Sequence, residues 1–258
     1  MVLRRERDDA VLAIGQPAHA WISGQLARAW GNHRFGAVEP WEEVCIAAQQ
    51  HDIGMAEWDA APELNRETGL PYSFVGMPLE THARLWDRAW ELALPQSRYA
   101  ALLLSMHGTA LYGMRDLSKL DERESALVHA YLDHQREVQD RLRTTLPDAS
   151  RVDRNQRLIW TWDAFSLALC LDWAPHTLRD VPAADGEEVD VELEPAGERA
   201  VTVTPWPFSD PRVAVRTEGR RLRGPFESEE EMRAALAEAP WTELEFELRP
   251  GAGQGSTP

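Results

Sequence analysis

The chain has 258 residues, and its 43 acidic and 27 basic residues give a formal net charge of −16. A chain of this length can bury a substantial core, and its negative charge argues against nucleic acid and anionic membranes as partners. Cys45 and Cys170, the two cysteines, stand among apolar residues, as buried reduced thiols do. Because no apolar run reaches the length of a signal peptide or a membrane span, we expect a cytoplasmic protein.

The first two-thirds of the chain is predicted to be helical after a short hairpin. Residues 1–15 are expected to form two strands, 2–5 and 11–14, around a turn at Asp8 and Asp9. Apolar residues then recur with the 3.6-residue period of a buried helix face. This periodicity predicts helices over residues 16–30, 41–53, 79–93, 96–107 and 121–146, and around 159–170.

Residues 59–78 interrupt these helices. Prolines and glycines recur from Pro62 to Pro78 and exclude a helix there. A loop of this length in a compact domain is usually functional. We therefore expect it to form a wall or lid over a site, and the alternative is a purely structural loop.

Strands are predicted after Pro175. A polar connector at 181–188 precedes alternating apolar and polar residues at 189–193, 201–203, 213–215 and 244–248. A helix is predicted at 228–238, with Ser228 and Glu231 as its capping box. We expect a mostly α fold: a helical domain over 1–180, a small antiparallel α+β appendage over 187–250 that the N-terminal hairpin can join, and a flexible tail at 251–258.

Six potential metal ligands lie on the apolar stripes of the predicted helices. The adjacent pair His51 and Asp52 can present a nitrogen and an oxygen to one cation. A lone carboxylate such as Asp163, between Ile159 and Leu167, would be costly to bury without a counter-charge. The six residues are His19, His51, Asp52, His82, His107 and Asp163.

Each histidine taken singly is more simply explained as a core residue that donates to a backbone carbonyl, and Asp163 as a cap or an arginine partner. Six such residues on inward helix faces favour a metal site. His33, His129, His134 and His176 lie in polar company or at element ends, and we do not assign them to metal.

The order of the six ligands resembles that of the HD-domain superfamily of metal-dependent phosphohydrolases, in its members with two metals. More narrowly, the chain is similar to domain-of-unknown-function family 3891. The phrases that carry this likeness are Gln16-Pro-Ala-His19, Gln49-Gln-His-Asp-Ile-Gly54, Ser105-Met-His107, Trp162-Asp-Ala-Phe-Ser-Leu167 and Pro205-Trp-Pro-Phe208.

The resemblance implies an HD-like helical bundle with one or two divalent ions (Mn, Mg, Fe or Zn). His19, His51, Asp52 and Asp163 would hold the first ion, and His82 and His107 the second, with Asp52 as the bridge and the residue that positions the attacking water. Signalling phosphodiesterases of the superfamily carry a lysine where this chain has Met55. Hydrolysis of cyclic dinucleotides is therefore not expected.

The resemblance further implies a metal-dependent hydrolase that acts on a small phosphoester or nucleotide. Arg66, Arg84 and Arg98 are candidate contacts for the phosphoryl group, and Trp58 is a candidate aromatic wall of the pocket. Two alternatives use the same residues: a di-iron oxygenase of the same superfamily, and a non-catalytic sensor that binds a metal or a ligand.

Overall fold

The structure is a computed structural model that describes residues 1–6 and 10–252. It confirms the N-terminal hairpin: β1 (Val2–Arg5) pairs antiparallel with β2 (Val11–Ile14). The turn predicted at Asp8 and Asp9 lies outside the described residues, as does the end of the predicted tail after residue 252.

The predicted helices are present. They are α1 (Gln16–Ala29), α2 (Trp41–Gln50), α4 (Leu79–Ala93), α5 (Arg98–Gly113), α6 (Glu122–Thr145) and α7 (Val152–Leu171). A 3₁₀ turn (Ile53–Met55) and the short α3 (Ala56–Ala60) follow α2, and a second 3₁₀ turn (Leu117–Lys119) precedes α6. Trp41, the first residue of α2, is 45% exposed.

Five further strands and one helix complete the fold. They are β5 (His176–Pro182), β6 (Glu188–Gly197), β7 (Ala200–Thr204), β8 (Val213–Leu222), α8 (Glu229–Glu238) and β9 (Trp241–Pro250). Ser228 caps α8 as predicted, with its side chain accepting a hydrogen bond from the Glu231 backbone. With the hairpin, the strands form one seven-stranded sheet in the order β1-β2-β8-β9-β7-β6-β5. Its β7 and β9 are parallel, so the sheet is mixed rather than antiparallel.

The expected mostly α class, a helical bundle with an appended small sheet, is wrong. The protein has an α/β fold in which the large sheet and the helices share one core. Buried residues of the sheet such as Val215 and Phe246 belong to the same apolar cluster as Ile22 of α1 and Phe165 of α7. Polar contacts also join the layers, since Thr217 donates a hydrogen bond to the Ala18 carbonyl.

The part of residues 59–78 that follows α3, which we call the interrupted segment, contains only a minimal hairpin. In it β3 (Leu64–Asn65) pairs with β4 (Leu70–Pro71). Within the described parts of the chain, no helix is both long and apolar enough to cross a membrane.

Candidate metal centre

Five of the six predicted ligands meet in the interior, although they come from four separate helices. His19 lies on α1, His51 and Asp52 follow α2, His107 lies on α5 and Asp163 on α7. Their potential ligand atoms form two overlapping groups that could hold a metal ion, one of His19, His51 and Asp163 and one of His51, Asp52 and His107. All five are buried, and His51 stands at the centre, with ring centroids 5.1 Å from His19 and 4.8 Å from His107.

The His-Asp turn approaches the centre because a glycine lets it pack tightly against α4. A Cβ atom on Gly54 would lie only 2.6 Å from the Leu85 carbonyl oxygen and 3.0 Å from the Ala89 side chain. Any side chain at this position would therefore push the turn away from α4. The glycine fixes where His51 and Asp52 are held.

Hydrogen bonds in the surrounding helices fix the ring orientation of His19. The Ser166 hydroxyl donates to the Asp163 carbonyl at 2.8 Å, so it accepts from His19 Nδ1, also at 2.8 Å. On the other side of the ring, His19 Nε2 is at hydrogen-bond distance from Asp52 Oδ2, 2.5 Å away. A partner that fixes one imidazole nitrogen so that the other can bind metal is typical of metal-site histidines.

His51 is held in the same way. Its Nδ1 donates to the Ala48 carbonyl at 2.8 Å. Its Nε2 is buried, has no hydrogen-bond partner among the described residues, and lies 3.4 Å from Asp163 Oδ1 and 3.6 Å from Asp52 Oδ2. The two carboxylates favour a positive charge at this nitrogen, which is either a proton or a metal cation that displaces the proton on binding.

The two carboxylates concentrate negative charge at this point. Burial alone would lower the pKa of His51, but the attraction of Asp52 and Asp163 outweighs it and raises that pKa to about 9. Burial likewise opposes ionisation of both aspartates, yet the neighbouring histidines, His51 foremost, hold the pKa of each below its usual range. The pKa of His107 is lowered to about 4, by burial first and by His51 second. The cluster therefore favours charged carboxylates and a nearby cation.

His82 is close to this centre but is hydrogen-bonded within the protein. The Trp86 indole N–H donates to its Nε2 at 3.2 Å, so its Nδ1 carries the hydrogen and donates to the Tyr112 hydroxyl at 2.7 Å. Both ring nitrogens are thus engaged. His82 belongs to neither of the two groups that could hold an ion.

A cavity of about 60 Å³ lies beside the cluster. Its walls are mostly apolar, and Phe74 and Met77 of the interrupted segment close one side of it. The expectation that this segment forms a wall of the site is therefore confirmed at these two residues. Gln16, buried at the start of α1, also faces the cavity, and its Oε1 has no hydrogen-bond partner among the described residues.

The four predicted substrate contacts lie elsewhere. Arg66 is exposed in the turn between β3 and β4, Arg84 is exposed and pairs with Glu57 at 3.5 Å, and Arg98 donates to the Thr145 carbonyl on another surface. Trp58 is buried in an apolar cluster with Met77 and Trp86 but does not line the cavity. Arg84 stands two residues after His82, but positions two apart on a helix face different directions.

The chain was then compared with known proteins. The model of a family described as "Protein of unknown function (DUF3891)" matches residues 1–224. The chain belongs to this family. No curated protein and no solved structure matched the chain. In this DUF3891 member the unassigned histidines are away from the cluster, as expected; His134, for example, pairs with Asp87 at an exposed site.

Sequence reasoning missed the residues that support the ligands and shape the cavity. Ser166 stands three residues after Asp163, and Gln16 three residues before His19, so both share a helix face with a ligand. That spacing could have identified them. Phe74 has no such signal, because the path of an irregular segment is not encoded in a periodic pattern.

Proposed function

We propose that this chain is a metal-dependent hydrolase in which the buried cluster holds one divalent cation. The observation that carries the proposal is His51 Nε2, a buried atom that faces two carboxylates within 3.6 Å and has no hydrogen-bond partner in the described part of the chain. The ligand atoms would come from α1 (His19), from the turn after α2 (His51 and Asp52) and from α7 (Asp163). His107 lies beside them, with its Nε2 3.5 Å from Asp163 Oδ2. The imidazoles of this donor set suit Fe²⁺ or Zn²⁺, and its two carboxylates also suit Mn²⁺.

When bound, such a cation lowers the pKa of a coordinated water and polarises a phosphoryl oxygen. The chain's own residues supply the rest. Asp52 faces the cavity together with Gln16, whose free Oε1 can accept a hydrogen bond from a water or a substrate hydroxyl. The apolar walls exclude bulk water and so strengthen the electrostatic interactions inside.

A small phosphoester is the substrate class we favour. The order of the ligands resembles that of HD-domain phosphohydrolases, which supports phosphoester chemistry. The cavity of about 60 Å³ is far below the roughly 300–1,000 Å³ typical of pockets for larger ligands. That size supports a substrate whose reacting group is little larger than a phosphoryl group, rather than a nucleotide enclosed whole.

The geometry supports hydrolysis with one ion better than the di-iron oxygenase reading. An oxygenase of that type needs a second ion, and its ligands would include His82, both of whose nitrogens are hydrogen-bonded within the protein. Turnover distinguishes a hydrolase from a sensor, because a sensor binds metal and ligand but does not convert the ligand to product.

The test is phosphate release from a panel of small phosphomonoesters by protein loaded with Mn²⁺. We expect turnover that a chelator abolishes and that Asp52→Asn lowers about 100-fold or more, since even residues that only support a ligand cost 10–100-fold. Asp87→Asn, which removes an exposed aspartate that also contacts a histidine, is the matched control and should keep full activity. A metal-loaded protein that releases no phosphate from any ester would refute the hydrolase and favour the sensor.

A further inference from the structure

The two histidines expected to hold a second ion both lie close to one indole ring. Trp86 is 3% exposed and lies one helical turn after His82 on α4. Its ring centroid is 6.2 Å from that of His82 and 5.5 Å from that of His107. The tryptophan therefore packs against the rings of both histidines.

The indole also occupies the lone pair that a metal would need. An indole N–H can only donate, so the 3.2 Å contact between Trp86 Nε1 and His82 Nε2 requires Nε2 to be the acceptor. The other nitrogen carries the ring hydrogen and is directed at the Tyr112 hydroxyl. In this arrangement His82 has no free lone pair to give to a cation.

Packing holds the indole in place. A Cβ atom on Gly108 of α5 would lie 3.0 Å from Trp86 Cε3 and 2.3 Å from the Tyr131 hydroxyl. The absence of a side chain at this position lets α5 approach the indole. Trp86 also belongs to a buried cluster that includes Met55, the residue next to the His-Asp turn. The ring cannot turn aside without disturbing this packing.

We propose that Trp86 limits the centre to one metal ion by engaging His82 Nε2 and packing against the rings of His82 and His107. This inference rests on the proposed metal site and specifies it. His82 lines the cavity with both ring nitrogens hydrogen-bonded. A second ion can bind there only when the indole is removed. Replacing the indole should free His82 and let the protein bind a second ion.

The experiment is equilibrium dialysis against Mn²⁺ alone, with bound metal measured by elemental analysis and folding followed by thermal melting. Wild type should bind one equivalent. Trp86→Phe removes the N–H, Trp86→Leu also removes most of the ring, and at least one of them should bind two equivalents. Adding His82→Ala to that variant should return the stoichiometry to one. Trp90→Phe is the matched control, because Trp90 is buried one turn further along α4 and its indole nitrogen has no hydrogen-bond partner within the described ranges 1–6 and 10–252.

The outcomes separate this inference from the proposed function. Two equivalents in wild type, or one equivalent in both folded Trp86 variants, would overturn the role of Trp86 and leave the hydrolase proposal standing. No bound metal in wild type would overturn both. A second equivalent in Trp90→Phe would show that loosening α4, rather than freeing His82, creates the site, and would also overturn the inference.

Discussion

His51 Nε2 lies 3.4 Å from Asp163 Oδ1, although the two residues are more than a hundred positions apart and belong to different helices. The Ala48 carbonyl accepts the hydrogen of His51 Nδ1, which turns Nε2 towards the carboxylate. A positive charge stabilises this buried contact: a proton on His51, whose pKa is raised to about 9, or a metal cation that displaces that proton. This contact is the core of the metal-site account.

Replacement of Asp163 by asparagine should weaken metal binding more than it weakens the fold. The change keeps the size of the side chain but removes one of the two negative charges that attract the cation, so we expect metal affinity to fall at least about 100-fold. The structure gives Asp163 histidine neighbours and no arginine or lysine partner among the described residues.

Thermal melts of wild type and Asp163→Asn, with and without chelator, check this. The metal-loaded wild type should melt higher than the variant, and the chelator should remove the difference. If a gap of the same size persisted in chelator, Asp163 would be a structural residue and not a ligand.

The Ser166 hydroxyl should matter for metal affinity because it fixes the tautomer of His19. Ser166→Ala removes the acceptor of His19 Nδ1, and we expect metal affinity to fall about 10–100-fold. Ser23→Ala is the matched control, since Ser23 is equally buried in a neighbouring helix and donates to the Trp162 carbonyl without touching a ligand. Calorimetric titration with Mn²⁺ measures both, and equal affinities in the two variants would contradict the role given to Ser166.

The fold and the site were predictable from sequence to different extents. Helix periodicity located the ligands, and alternation located β6 to β9, because both patterns record which side chains are buried. Neither pattern records what a buried face packs against, so the sheet was taken for an appendage although Val215 and Ile22 share one core.

Strand β5 was missed since its residues at 178–182 lack alternation. His82 was assigned to metal because spacing reveals a helix face but not a hydrogen bond from Trp86.

Phe74 should limit the size of the substrate. Phe74→Ala enlarges the cavity on the side closed by the interrupted segment, so kcat/KM for esters with bulky leaving groups should rise about tenfold relative to the smallest ester, given the 10–200-fold range of pocket discrimination. Val75→Ala is the control, because Val75 is 76% exposed and points away from the cavity. An unchanged ratio in Phe74→Ala would show that substrates enter from another side.

The two thiols offer a probe of the folded core. Burial raises the pKa of Cys45 to about 11 and that of Cys170 to about 12. Both thiols therefore stay protonated at pH 8 while the chain is folded, and since the thiolate is the reactive form, alkylation should be slow. Chelator should accelerate it, because a cation that binds only the folded chain stabilises it, and its removal withdraws that stabilisation. Fast alkylation of the metal-loaded protein, followed by mass spectrometry, would contradict this packing.

The central claim is that the His/Asp cluster binds a single divalent cation without His82. A Mn²⁺ titration of three proteins tests it most directly: wild type, Asp52→Ala and His82→Ala, each freed of metal by chelator beforehand. We predict one equivalent for wild type and for His82→Ala, and less than about a tenth of an equivalent for Asp52→Ala, whose lost carboxylate lies against His19 and His51. Equal metal content in Asp52→Ala and wild type, or loss of metal in a folded His82→Ala, would contradict the account.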